Sequence, residues 1–190
     1  MKNLGLRMVK GWLWWLAGEF VCLIFYICLL MPMTRFMLVR IFVGVSGLIL
    51  TNGLYFNYAL NWANADRNAV RFHKAKADRF MSVKMAFLAP LLQYIMWFIL
   101  LLSKIGLFPS SFGTSDIKTD ILGIYMLANI QCTAWVDLFT EQRTVAAVNA
   151  AGMAGLLFLV LISSVTIFIT YECVYREIDV KALLLYGKKK

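Results

Sequence analysis

Apolar runs of about twenty residues, interrupted by a strongly charged joint, NWANADRNAVRFHKAKADRFMSVK from Asn61 to Lys84, leave this chain few ways to fold. A helix needs about 20 mostly apolar residues to cross the ~30 Å hydrocarbon core of a bilayer. Such runs cover 12–31, 36–60, 83–103 and 150–171. At 62% hydrophobic and a mean hydropathy of +0.75, the chain is more apolar than a water-soluble domain, in which about half the residues are apolar. The expected fold is therefore all-α and integral to a membrane, a single domain built as a four-helix transmembrane bundle.

Lysine and arginine set the orientation. One group, Lys2, Arg7 and Lys10, precedes the first run. A second, Arg67, Arg71, Lys74, Lys76, Arg79 and Lys84, fills the joint, and a third, Arg176, Lys181, Lys188, Lys189 and Lys190, follows the last run. Four crossings bring all three groups to one side and leave Arg35, Arg40, Lys104, Lys118 and Arg143 on the other. Basic residues favour the cytosolic side, so both termini are expected in the cytosol and the protein in the plasma membrane. A fifth crossing, by 117–139, would carry the basic tail out. That stretch holds Asp120, Asn129, Gln131 and Asp137, and is expected to lie along the outer interface or to re-enter shallowly, with Ser115 or Asp116 as its cap. On the same grounds, the formal charge of +9 is assigned to topology and to anionic lipid headgroups rather than to nucleic acid.

Within this plan, Pro32 turns the chain outside the membrane and Pro90 kinks the third run, which Lys104-Ile105-Gly106 ends. Gly44, Gly47 and Thr51 give the second run a narrow side for close helix contact, and Ala147, Ala151 and Gly155 suggest another before and within the last run. Arg40 is expected to reach back to headgroups. The joint reads as an amphipathic cytosolic extension of the second helix, with Tyr58, Trp62, Ala65, Ala69, Phe72 and Val83 on one side and Arg67, Arg71, Lys74 and Asp78 on the other.

Candidate site residues come from depth. Counting 8 to 10 residues in from the cytosolic end, Glu19, Asn52, Gln93 and Ser163 or Ser164 share a layer roughly 12 to 15 Å deep. An ionisable group at that depth is costly and usually faces the bundle interior, so Glu19 is expected to meet Asn52 or Gln93. The layer can bind a small polar solute or cation, or it can be interhelical hydrogen bonding that fixes register. Asn57, Asn61, Asn64 and Asn68 form a stripe suited to a vestibule, a partner surface or a helix contact. His73 stands alone, and Cys22, Cys28, Cys132 and Cys173 are scattered, so no metal site, disulfide framework or cofactor is expected. No catalytic motif is present, and the chain is read as non-enzymatic.

The segments ADRNAVRFHKAKADRFMSVKMAFLAP and YREIDVKALLLYGKKK resemble the joint and tail of a loose group of small multi-span membrane proteins from gut Gram-positive bacteria. The resemblance implies a four-span plan and no activity; Asp66, Arg67, Asn68 and Arg71 match it with no role attached. The function expected is that of an accessory or interaction subunit. It would present Arg67, Arg71, Lys74, Lys76 and Arg79 to anionic lipid or to another membrane subunit. The alternative is a component of a small-solute or ion transporter using the layer around Glu19.

Overall fold

The computed structural model describes residues 4–30, 36–72, 78–114, 117–139 and 144–176. The chain is almost entirely helical. Helix α1 (Leu4–Phe25) runs into a π-helical turn, Tyr26–Leu30, and is followed by α2 (Met37–Arg71), α3 (Met81–Leu88) and α4 (Leu91–Lys104). A short antiparallel hairpin, β1 (Ser111–Thr114) and β2 (Ile117–Asp120), pairs Ser111 with Asp120 and Thr114 with Ile117. Helices α5 (Ile121–Ala128), α6 (Ile130–Phe139) and α7 (Ala150–Tyr175) complete the fold.

Three helices, α1, α2 and α7, are long and apolar enough to cross a membrane, and α3 with α4 makes a fourth if the bent pair is counted as one. The bend is 52°, at Ala89-Pro90, where proline lacks the amide that would continue the ladder. The expected kink is there. At its far end α4 stops in a left-handed glycine, Gly106 (φ 78°), with the Leu107 N–H donating to Leu102 O and the Gly106 N–H to Ser103 O. That pair of bonds satisfies carbonyls a helix end leaves open.

Helix α2 is the hub, packing against α1, α6 and α7, while α3 lies on α7 and α4 on α5. Its small residues explain how three helices fit around it. Gly44, Gly47 and Thr51 are all buried: Gly44 lies under the Trp135 indole, and Gly47 faces Gln131 and Cys22. The small residues near α7 behave otherwise. Ala147 belongs to a separate turn, Val145–Ala147, Ala151 is exposed and Gly155 half-buried, so they do not form one packing side. The buried face of α7 instead carries Gly152, Leu156, Val160, Ser163 and Ile167.

Two further expectations are corrected. The side of the joint expected to be apolar is buried only at its start: Tyr58 lies in the core with Tyr55, Ala59 and Ala63, Trp62 and Ala69 are half-buried, and Ala65 and Phe72 are exposed. Helical periodicity located the side at Tyr58, and beyond it the buried face shifts by about one residue, to Ala59 and Ala63, where α2 packs against α1 and α7. The stretch 117–139 is not one helix. Its first four residues are strand β2, and its cap is Asp120, whose carboxylate accepts from the Leu122 N–H at 2.8 Å and the Val145 N–H at 3.2 Å. Ser115 and Asp116 lie outside the described residues.

Polarity is arranged inside out relative to a soluble protein. Leu38 (81% exposed), Ile49, Phe20 and Phe158 point outward, while Thr51, Gln93, Asn129 and Ser163 are fully buried. An apolar exterior of this extent is what a lipid environment accepts and water does not.

A Cβ added at Gly44 would sit 2.9 Å from the Trp135 ring, whereas one at Gly53 would meet nothing within 4 Å. Gly44→Leu is expected to destabilise the protein by about 2 kcal/mol and Gly53→Leu to be nearly neutral, measured as denaturation midpoints in detergent micelles.

Candidate functional site

Helices α5 and α6 are separated by one buried residue, Asn129, whose backbone (φ −135°, ψ 66°) leaves the helical region. The break is sharp. The Thr133 hydroxyl donates to Met126 O at 3.1 Å, although a straight helix would hold residues seven apart about 10 Å from each other. Helix α5 begins beside Ser110, past the end of α4. Helix α6 runs from Gln131, against Gly47 in the first third of α2, to Asp137, beside Arg40 near the start of α2. The two helices thus enter the bundle from the hairpin end and turn back toward it.

A helix that starts inside a bundle leaves amide N–H groups without partners, and each buried orphan costs about 1–3 kcal/mol. Glu19 of α1 answers this. Its Oε2 accepts from the Gln131 N–H at 3.2 Å, the Ile130 N–H also reaches the carboxylate, and Oε1 accepts from the Trp15 indole at 2.8 Å. At the other end of α6, Arg40 donates to Asp137 O at 2.8 Å. A carboxylate at the N-terminus and a guanidinium at the C-terminus both complement the helix dipole. Arg40, half-buried near the start of α2, is thus engaged with α6.

Glu19 is 5% exposed and faces inward, but its partners are Trp15 and α6 rather than Asn52 or Gln93. Asn52 donates to Leu48 O of its own helix at 2.8 Å. Gln93 and Ser163 are fully buried, yet both polar atoms of the Gln93 side chain and the Ser163 hydroxyl have no hydrogen-bond partner among the described residues, while Ser164 pairs with the Tyr94 hydroxyl at 2.7 Å. The same is true of Tyr55 Oη, Asn129 Oδ1 and Gln131 Oε1, while the Tyr125 hydroxyl lies against the Cys132 thiol. Such groups suit internal water or a small polar solute. Of the residues counted to one depth, Glu19, Gln93 and Ser163 are buried and Asn52 is half-buried, and these hydrogen bonds do not join them to one another.

The second constellation was hidden in the sequence by distance. Arg7 and Asp66, 59 residues apart, form a two-pronged ion pair with side chains 11% and 19% exposed. Tyr171 of α7 donates its hydroxyl to the same carboxylate, Tyr58 donates to Arg7 O at 2.9 Å, and the Arg7 guanidinium lies 4.4 Å from the centre of the Trp62 ring. Nearby, Ser82 donates to Glu172, which also pairs with Arg176. Four segments, α1, α2, α3 and α7, are tied together at this end. Counting Arg7 only as a topological charge missed it; Asp66, an acid within a basic stretch, was the available signal.

The asparagine stripe faces outward: Asn57, Asn61 and Asn68 are exposed, so it is not a buried helix contact. Asn61 lines an open cleft of about 630 Å³ between α1 and α2, with Lys10, Leu13, Trp14 and Trp62. Arg71 and Arg79 are exposed and Arg67 is half-buried. Lys74, Lys76 and His73 lie outside the described residues. Asp78 bonds Lys84 at 2.7 Å, and that bond, with the Phe80 N–H, holds its carboxyl below the usual carboxylate range. Because the folded value is the lower one, the contribution is present above the ordinary pKa of about 3.9 and fades as pH falls through the folded value; exposure keeps it small.

Among the described residues no three His, Cys, Asp or Glu side chains gather as a metal site, and the four cysteines are free. Compared with protein-family models, with curated proteins and with solved structures, the chain matches none.

Replacing Glu19 tests the role of the cap. Glu19→Leu orphans buried donors and is expected to cost about 3 kcal/mol in detergent unfolding, whereas Glu19→Gln, which keeps one acceptor, loses less than half of that. At the other lock, Asp66→Asn is expected to lower stability by about 3 kcal/mol, and the double variant with Arg7→Gln by clearly less than the sum of the singles.

Proposed function

We propose that the chain is a four-span membrane protein with both ends in the cytosol and α5–α6 as a re-entrant hairpin from the outer side. We read it as a non-enzymatic accessory or interaction subunit that offers its basic face to anionic lipid or another membrane subunit. The supporting observation is how Glu19 is used. Both its oxygens are engaged by Trp15 and α6, and the cleft lined by Lys10, Trp14 and Trp62 opens between α1 and α2 rather than toward Glu19. The ion-paired end of the bundle also carries Arg71, Arg79 and Arg176 on its surface. A transport role through the polar band is the second reading, favoured by the unpaired Gln93, Ser163, Tyr55 and Gln131 atoms.

Orientation is tested by impermeant maleimide labelling of single cysteines in a background lacking the native four. Gly113→Cys in the hairpin is expected to react in intact cells, and cysteines appended at either terminus only after lysis. Labelling of the two termini from opposite sides would overturn the topology. Function is tested by co-purification from native membrane. One stoichiometric membrane partner is the expected result; isolation alone with a bound small solute would favour transport instead.

A further inference from the structure

The cleft between α1 and α2 is graded along its length. Lys10, Asn61 and Trp62 stand toward the ion-paired end, while Leu13, Trp14 and Ala17 line the part that runs into the bilayer-length stretch of α1. Its volume of about 630 Å³ lies within the range of small-molecule sites, and it is open to the side. The packing of the bundle creates it. Arg7 is drawn inward onto Asp66, so its charge is spent within the protein, and Lys10, one turn further along α1, is left as the cation of the cleft, its amine 5.3 Å from the centre of the Trp62 ring. Arg7 lies against the same ring. Trp62 is thereby fixed as a wall, with two cations beside it and only one neutralised by Asp66.

We infer that this cleft binds one anionic glycerophospholipid, its phosphate on Lys10 and Asn61 and an acyl chain along Leu13 and Ala17. Charge complementarity selects the occupant. A lysine and an amide at the mouth match a phosphodiester, and the apolar depth matches a hydrocarbon chain rather than a polar solute. An indole on either side suits the boundary between the two, where an apolar ring with one N–H is favoured. A net negative headgroup leaves the Lys10 charge balanced, which a zwitterionic lipid, bringing its own cation, does not. The inference rests on the membrane orientation proposed above, in which this end of the bundle meets the anionic leaflet.

The test is photo-crosslinking of the full chain in vesicles of phosphatidylcholine with a tenth phosphatidylglycerol. A diazirine acyl chain is carried either by the phosphatidylglycerol or by an equal amount of the phosphatidylcholine, and sites are mapped by mass spectrometry. Labelling of Leu13–Ala17 and Asn61–Ala65 by the anionic probe is expected to exceed that by the neutral one about fivefold, the effect of one lysine near an anionic headgroup. Lys10→Gln should remove the difference, and Arg79→Gln, an exposed charge outside the cleft, should keep it. Equal labelling by both probes, or a preference that survives Lys10→Gln, would overturn the site while leaving the membrane orientation intact. No labelling of this face by either probe would also overturn the site, while the orientation stands or falls separately on the maleimide labelling of the two termini.

Discussion

The structure turns on a short helix that begins inside the bundle. Outside water, every backbone N–H and C=O must find a partner within the protein, and a helix that starts there exposes its first amides. Helix α6 meets this requirement through charged side chains from two neighbours: Glu19 on its first amides and Arg40 on a late carbonyl. Each of these polar groups has its hydrogen bonds supplied by the helix terminus it faces.

From that arrangement the surroundings follow. Since α6 must lie against α2, the facing side of α2 is glycine, and Trp135 and Gln131 occupy the space side chains would have filled. Since α5 and α6 take up the interior at the hairpin end, the apolar core divides into two large clusters and a small one, Val43 with Ala134, between α2 and α6. Leu100, Leu122, Tyr125 and Leu156 pack around the broken helix, while Trp15, Tyr55, Met85 and Ile167 pack toward the ion-paired end. At that second end Arg7, Asp66 and Tyr171 close the bundle directly.

Most of the architecture was legible in the sequence because lipid imposes lengths. Run length gave the long helices, Pro90 gave the bend, Gly106 the end of α4, and Gly44 and Gly47 the close contact. Glu19 could be singled out as buried since a carboxylate in an apolar run has few other places to be. Its partner could not, because depth counting compares only continuous crossings and α6 is not one. Asn129, a single polar residue between apolar stretches, marks the break, but nothing local says that the chain reverses there; the reversal comes from tertiary contacts such as Thr133 with Met126. The Arg7–Asp66 pair was illegible for a related reason. Charges near helix ends look topological until the fold brings two of them together.

The most direct measurement is amide hydrogen exchange on α6 in a lipid bilayer. If Glu19 and Arg40 secure a helix enclosed by the bundle, Ile130–Val136 should exchange as slowly as the core of α7, and Glu19→Leu should speed exchange first at Ile130 and Gln131. If α6 in the unaltered protein exchanges as fast as the β1–β2 hairpin, it is not an enclosed helix, and the account built on it is wrong.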